Sequence, residues 1–375
     1  MIKKIITIIY LLFFSLLLSG CWDYTSLDEI TIVSGMAIDQ SEDKKGYHVS
    51  LEIFDTTESN KEKIKTAIIE SNGITLFDAI RNAKKKITNK LYFANIAVII
   101  VSEQVAKEKN IGEIIDWYLR DAEHRETLSF VISKEKTAKD LLNTKSSTNN
   151  AIGLLIKEIV TEDQTVTISV IHNEAYKIYN ILNQKKESLV LPAFRVTTNN
   201  NEKAVEADGL AIFKNGKLID FIDDDKSKYI LFANNKVKGG ILTIKKDNNI
   251  DNISLEITNS KTKTSFTYKN NQLKFFINIK TNVIVGEYGI NDEIPYKQIT
   301  KLEKIAANKL NKEVTEIIKY VQEKYNSDIF GFSTIIYRKD PKLWKKLKKD
   351  WDKIFKNIEV EVKSEVKIIN TSYIK

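Results

Sequence analysis

The chain has 375 residues, of which 42% are hydrophobic and 29% charged, and it contains only three prolines. This composition is that of an ordinary globular protein and excludes a low-complexity or disordered chain. The formal net charge is +8, and the single cysteine excludes a disulfide within the chain.

The first residues predict a signal peptide. Lys3 and Lys4 precede an apolar stretch, 5–18, that is shorter than the roughly 20 residues needed to span a bilayer. The sequence Leu-Ser-Gly-Cys at 18–21 then matches the lipobox of bacterial lipoproteins, in which small residues precede a cysteine that is lipidated. We therefore predict that residues 1–20 are removed and that Cys21 is the lipid attachment site.

The lone cysteine favours this interpretation over a plain signal peptide with a coincidental cysteine, because an unpaired cysteine in an exported protein needs an explanation. Two acyl chains on Cys21, at about 0.8 kcal/mol per buried methylene, would give a stable membrane anchor. No later segment is apolar enough to span a bilayer. Outside the membrane, the positive charge predicts at most weak attraction to anionic lipid or wall polymer, and no nucleic acid is expected as a partner.

The mature chain is longer than one hydrophobic core usually organises, so two or three domains are expected. Residues 21–198 are predicted to form an N-terminal α+β domain, since strand-like and helical patterns alternate along it. Thr75 is the predicted N-cap of one of its helices. The predicted strands are 30–38, 47–54, 91–101 and 127–133, and the predicted helices are 75–87, 103–120, 151–162 and 172–184.

A polar linker is predicted at 199–204, followed by a C-terminal α+β domain, 205–375, which divides further into a β-rich part, 205–290, and a helix-containing part, 291–375. An Asn-Gly pair at 215–216 predicts a hairpin turn. Further strands are predicted at 239–246, 252–258, 263–268, 273–285 and 358–369, and helices from about Pro295 and over 341–356. The predicted fold class is α+β, with several domains and mixed sheets packed with helices.

The sequence indicates no catalytic, cofactor-binding or metal-binding residues. His48, His124 and His172 are far apart and lack metal-ligand spacing. An acidic run, Asp223–Asp225, is typical of a solvated turn. The segment 247–258 has partial calcium-loop spacing but lacks the glycine and the glutamate that such a loop needs. We predict neither an enzyme nor a cofactor.

The segment 341–356 predicts an amphipathic helix with Asp340 as its N-cap. Trp344 and Trp351 lie on its apolar side and lysines cover the remainder. Such a helix can rest on a membrane, but we expect it to pack into the core, with its lysines simply solvated.

Several motifs resemble the Ger(x)C, or GerAC-like, spore germination lipoproteins. The lipobox is followed by Cys-Trp-Asp at 21–23, and the sequence at 29–39 resembles the start of that family. The segment 207–218 resembles the opening of its C-terminal domain. Near the end, 328–332 and the spacing of Pro341, Trp344 and Trp351-Asp352 resemble its closing motif. The likeness runs nearly the whole length in the right order.

The resemblance implies several α+β domains and a role as the non-catalytic C subunit of a germinant receptor. Such a subunit works with membrane-embedded A and B subunits in the inner membrane of the spore and responds to nutrients such as amino acids or sugars. Only Cys21 is carried over as a functional residue. Whether this subunit contacts the nutrient is left open.

Two other functions compete with this interpretation. A solute-binding lipoprotein of an ABC transporter should contain two similar lobes, which the β-rich section followed by a long helix does not suggest. A wall-modifying enzyme should contain a catalytic constellation, and none is evident.

Overall fold

The computed structural model describes residues 2–16, 26–54, 65–120, 123–144, 151–184, 188–199, 201–245, 252–288 and 296–370. Cys21 lies outside these ranges, as does the start of the calcium-like segment. In the described part of the chain, no helix is both long and apolar enough to cross a bilayer.

The described residues form two β-sheets packed with helices, which confirms the predicted α+β class. The helices are α1 (Ile2–Leu16), α2 (Leu76–Ala83), α3 (Glu103–Glu108), α4 (Ile111–Arg120), α5 (Lys139–Leu142), α6 (Ile152–Val166), α7 (Ala175–Gln184), α8 (Asp224–Ala233), α9 (Tyr296–Lys324), α10 (Phe332–Lys339), α11 (Pro341–Leu347) and α12 (Trp351–Lys356). The strands are β1 (Ile30–Gln40), β2 (Tyr47–Phe54), β3 (Thr66–Gly73), β4 (Lys90–Tyr92), β5 (Val98–Ser102), β6 (Ser129–Ser133), β7 (Val190–Asn199), β8 (Glu202–Lys214), β9 (Lys217–Ile222), β10 (Ile241–Lys245), β11 (Asn252–Lys269), β12 (Gln272–Glu287) and β13 (Glu359–Asn370).

The larger sheet has the strand order β3-β2-β1-β5-β6-β7-β8-β9, with β4 beside the start of β1. Its central strands β1, β5, β6 and β7 run parallel, and the flanking pairs are antiparallel. Helices cover both faces, so β5 and β6 are buried along their whole length, as expected of parallel strands rich in β-branched residues. The two faces form two separate apolar clusters.

The smaller sheet has the order β10-β11-β12-β13 and packs against the long helix α9. Two polar side chains of α9 also form hydrogen bonds with the backbone of the edge strands β10 and β13. Lys309 Nζ donates to the Thr243 carbonyl of β10 at 2.7 Å. On β13, the Ser364 N–H donates to the Asn311 side chain at 2.6 Å. Each contact satisfies one backbone group that the edge strand would otherwise offer to another chain.

Two local predictions are confirmed in detail. The Thr75 hydroxyl accepts a hydrogen bond from the Asp78 N–H at 3.1 Å and caps α2. Asn215 and Gly216 have φ angles of 53° and 79°, as a type I′ turn requires, and join β8 to β9. Both signals are local in sequence, which explains why they are reliable.

Other predicted elements were wrong in their extent. The run 91–101 is not one strand, because a turn interrupts it: the Ile96 N–H donates to the Phe93 carbonyl at 3.0 Å, and both side chains are buried. A continuous run of apolar residues indicates that a segment is buried, but it does not show whether a turn interrupts the segment. The two strands predicted within 252–268 are a single strand, β11.

The segment predicted as a linker, 199–204, contains the turn of the β7–β8 hairpin, where Asn199 pairs with Glu202. Asn201 has a φ of 64°, so it adopts the left-handed conformation suited to a tight turn. Since β8 and β9 extend the larger sheet, the first residues assigned to the C-terminal domain belong to the sheet of the N-terminal half. The domain boundaries themselves stay a prediction.

Candidate functional site

A groove of about 1250 Å³ lies between helices of the two halves of the chain. One wall comes from α4 and α7, the other from α10 to α12, and the β8–β9 turn contributes between them. Tyr179 and Tyr337, from opposite walls, are 38% and 42% exposed. Partly exposed tyrosines in a concave surface are typical of binding sites, since they combine apolar area with a polar tip.

The β8–β9 turn is attached directly to the start of α4. The Ile111 N–H donates to the Gly216 carbonyl at 2.8 Å, and the Asn110 side chain accepts from the Gly112 N–H at 2.9 Å. A Cβ on Gly216 would lie 2.2 Å from the Asn110 Oδ1. Since Gly216 also has a φ of 79°, a side chain at this position would be both crowded and strained. The hydrogen bond from Ile111 fixes this turn of the groove to α4.

Lys214 links the end of β8 to the C-terminal helices. Its ammonium group donates to the Asn326 carbonyl at 2.7 Å and forms an ion pair with Asp352 at 2.9 Å. Nearby, the Ser188 N–H donates to the carbonyl of Asp328 at 2.9 Å. These contacts connect the two halves at the groove.

Asp328 is a buried carboxylate with a structural role. Its Oδ1 accepts from the Phe332 N–H at 3.0 Å, and its Oδ2 accepts from the Ser333 N–H at 2.8 Å. The Trp351 indole donates to the same Oδ2 at 3.2 Å. The side chain thus satisfies the first N–H groups of α10 and fixes the tryptophan of α12, as capping carboxylates do.

Charged side chains of both signs line the groove. Glu113 and Asp116 lie on α4, and Lys345 and Lys348 lie on the opposite wall. Asp116 forms an ion pair with Arg120 at 2.6 Å, and its hydrogen bond raises the pKa of that guanidinium. The groove therefore offers both acidic and basic contacts, which suits binding of a polypeptide or another ligand with charges of both signs.

The histidines lie in separate places. His48 bonds to Glu70 at 3.1 Å, and the ring of His124 stacks on Tyr118. His172 lies 3.2 Å from the Ser129 hydroxyl, and burial lowers its pKa. Across the described ranges, no group of three histidine, cysteine, aspartate or glutamate side chains could hold a metal ion.

The acidic run at 223–225 begins α8, where negative charge is favourable. Asp223 also lies 3.4 Å from Lys134, whose main partner is Asp208 at 2.8 Å. Both members of the Lys134–Asp208 pair are largely buried. No local pattern signals this pair, because the two residues are far apart in sequence and meet only through the strand order of the sheet.

The segment 341–356 packs as expected but is not one helix, since a 3₁₀ turn, Lys348–Asp350, separates α11 from α12. The Asp340 side chain accepts from the Leu343 N–H at 2.9 Å, which confirms the predicted cap. Trp344 and Trp351 are 8% and 7% exposed and meet edge to face at 5.1 Å. The prediction that the tryptophans pack into the core is confirmed.

Comparison with known proteins identifies the family. The model "Spore germination protein N-terminal domain" matches residues 23–196, and "Spore germination B3/ GerAC like, C-terminal" matches 208–372. The chain belongs to the GerAC-like family of spore germination proteins. The resemblance seen in the motifs is thereby confirmed over nearly the whole sequence.

Two curated relatives align with this chain over almost their full length. Spore germination protein KC of Bacillus subtilis (strain 168) is 26% identical over 403 residues, which cover 99% of this chain and 97% of the relative. Spore germination protein B3 of the same organism is 25% identical, with 96% of each chain covered. The crystal structure of the GerBC protein matches 90% of this chain and 97% of its own, with a TM-score of 0.58 and 22% identity, and shows a shared fold.

Proposed function

We propose that this chain is the lipid-anchored, non-catalytic C subunit of a germinant receptor, acting with membrane-embedded A and B subunits in nutrient-triggered spore germination. The observation that carries the proposal is the match of two spore germination models, which together extend from residue 23 to residue 372. The lipobox before Cys21 supplies the membrane attachment, on the outer face of the inner membrane of the spore.

The short tether supports a position close to the bilayer. Leu27 follows Cys21 by six residues, so at about 3.4 Å per residue even a fully extended tether would reach at most about 20 Å. The 3₁₀ turn Leu27–Glu29 then leads directly into β1, and the Asn89 side chain donates to the Asp28 carbonyl at 2.9 Å. The larger sheet would therefore stand beside the membrane that contains the A and B subunits.

The groove supports a binding role rather than catalysis. Of the four carboxylates that line it, Asp116 and Asp352 are held in ion pairs and Asp328 is held by N–H donors, which leaves Glu113 on α4. The first three side chains stabilise the fold, and Glu113 alone supplies no pair of carboxylates for general acid–base catalysis.

Cys21→Ala tests the anchor. Without the thiol no diacylglyceryl group can be attached, so the protein should leave the membrane fraction of spores and the nutrient response should be largely lost. Ser19→Ala is a matched control, since alanine keeps a small residue before the cleavage site, and it should preserve both. A Cys21→Ala protein recovered wholly with the membrane and fully active would refute the anchor.

Intact mass spectrometry of the chain purified from spore membranes provides a second test. The mature N-terminus should be residue 21, with a mass increment for two acyl chains on a glyceryl thioether. Two multi-span proteins should purify with it in mild detergent. An unmodified mass, or purification without membrane partners, would contradict the proposal.

A further inference from the structure

Positive charge is concentrated in one short segment of the chain. Residues 338–356 contain nine basic side chains and three acidic ones, for a net charge of +6. The whole chain has a net charge of +8, and Lys3 and Lys4 of the signal peptide account for the remaining two. The rest of the mature chain is therefore neutral overall, so the segment carries its entire net charge.

Six of these lysines form a stripe on the exposed side of α11, the 3₁₀ turn Lys348–Asp350 and α12. Successive members are one, three or four residues apart, and at the rise of an α-helix the stripe extends over about 21 Å. All six are exposed, and the residues that point the other way, among them Trp344, Trp351 and Phe355, are buried. The members of this lysine stripe are Lys342, Lys345, Lys346, Lys349, Lys353 and Lys356.

The stripe has no internal counter-charge. Among the described residues none of the six lysines forms an ion pair, whereas lysines such as Lys134 and Lys274 elsewhere do. Of the nearby acids, Asp340 caps α11 and Asp352 pairs with Lys214. Asp350 lies at one border of the stripe, and at the other border Lys345 faces Glu113 and Asp116 across the groove. The remaining five lysines do not line the groove, so their charge is directed to solvent.

We propose that the lysine stripe is a contact surface for the anionic phospholipid head groups of a bilayer. Its backbone is fixed by the buried apolar side, so the lysines project from fixed positions and no backbone entropy is lost on binding. Each lysine near an anionic leaflet contributes about 1 kcal/mol. An exposed row of ammonium groups on flexible side chains suits a flat, fluid layer of phosphates better than a specific pocket does.

The residue type favours lipid over an acidic protein partner. All six positions are lysine, which is depleted at protein–protein interfaces, whereas arginine is enriched there. Lysine acts as a hydrated point charge, whereas arginine forms the bidentate contacts that fix a protein partner. The proposed lipid anchor would bring the stripe to a membrane, but the stripe's own affinity for lipid does not depend on that anchor.

The test uses the mature chain from residue 21 with Cys21→Ala, which lacks lipid. Its buried hydrophobic residues lie between Val33 and Val366, so removal of residues 1–20 leaves the described cores intact. Binding is measured by co-sedimentation with vesicles of a two-to-one mixture of phosphatidylcholine and phosphatidylglycerol. Vesicles of phosphatidylcholine alone are the lipid control.

The test variant combines Lys346→Gln, Lys349→Gln and Lys353→Gln, three stripe positions that do not line the groove. At about 1 kcal/mol per lysine, the partition coefficient should fall by about two orders of magnitude. A control variant with Lys261→Gln, Lys263→Gln and Lys269→Gln on β11 loses the same charge from another surface and should bind nearly as the parent does. Circular dichroism confirms that both remain folded.

Binding by the parent should require phosphatidylglycerol and should weaken at high salt, because salt screens exposed charges. Equal loss in both variants would show only a response to net charge and would overturn the proposal. It would also be overturned if the parent did not bind the anionic vesicles. If the parent does not bind vesicles, and the A and B subunits no longer purify with the stripe variant, the stripe would instead be a contact surface for an acidic protein. Because the probe lacks lipid, the vesicle-binding outcomes are independent of Cys21 and of the proposed receptor role.

Discussion

Replacement of Trp351 by phenylalanine tests whether the hydrogen bond from its indole to Asp328 stabilises the C-terminal half of the chain. Trp351 is 7% exposed, and its Nε1–H is 3.2 Å from the carboxylate that also caps α10. Phenylalanine keeps an aromatic ring in the core and removes the donor. The carboxylate remains buried with one partner fewer.

The expected magnitude follows from these contacts. A hydrogen bond to a charged group contributes about 1.5–3 kcal/mol, so Trp351→Phe should lower the free energy of unfolding by about 2–3 kcal/mol. Trp351→Ala also leaves a cavity and should cost about 3–5 kcal/mol. Trp344 is the matched control, because it is equally buried and its indole has no hydrogen bond to another described residue. Trp344→Phe should cost only about 1 kcal/mol, for lost volume.

The assay is equilibrium unfolding in urea, followed by far-ultraviolet circular dichroism so that loss of a tryptophan does not change the probe. The m-value should be the same for all variants, so that a shift of the urea midpoint reports a change in the free energy of unfolding. Equal destabilisation by Trp351→Phe and Trp344→Phe would refute the role of the Asp328 hydrogen bond.

Three further predictions concern pH, backbone geometry and metal. Burial lowers the pKa of His172, so the folded state resists protonation and the free energy of unfolding should fall as pH drops below about 6.5. In urea titrations at several pH values, His172→Gln should weaken this pH dependence, and an unchanged pH dependence would contradict the prediction. Gly216→Ala should lower the free energy of unfolding by roughly 1–3 kcal/mol, measured by thermal unfolding, because Gly216 has a φ of 79° and lies close to Asn110. Gly286→Ala should be nearly neutral, because the nearest atom to an added Cβ is 3.5 Å away. Equal destabilisation by the two variants would refute the steric argument. A chelator should leave the melting temperature unchanged, and a large drop would reveal a structural metal.

The parts of the fold that sequence could predict are those with local causes. Thr75 caps its helix and the Asn215–Gly216 pair turns its hairpin because each needs only a few neighbouring residues. The turn between Phe93 and Ile96 was not predicted, because apolar residues on both sides of a turn can be buried in the same core. Sequence pattern also predicted the buried side of the helix at 341–356, although it did not reveal the 3₁₀ turn within it.

The groove could not be predicted, because its lining comes from elements far apart in the chain. Glu113 on α4, Tyr179 on α7 and Lys345 on α11 share no sequence signal. Only the packing of the two halves brings them to one surface. The significance of the lysines at 342–356 also depended on structure, since their lack of ion pairs is a property of their surroundings and not of their spacing.

The most direct test of the receptor role is the nutrient response of spores that lack this chain. Germination is followed as the fall in optical density across a panel of amino acids and sugars, in deleted spores and in spores complemented with the wild-type gene. The proposed function predicts that the response to at least one nutrient is lost and is restored by the wild-type chain, while germination by a nutrient-independent trigger is unaffected. Unchanged responses to every nutrient that the parent spores recognise would contradict it.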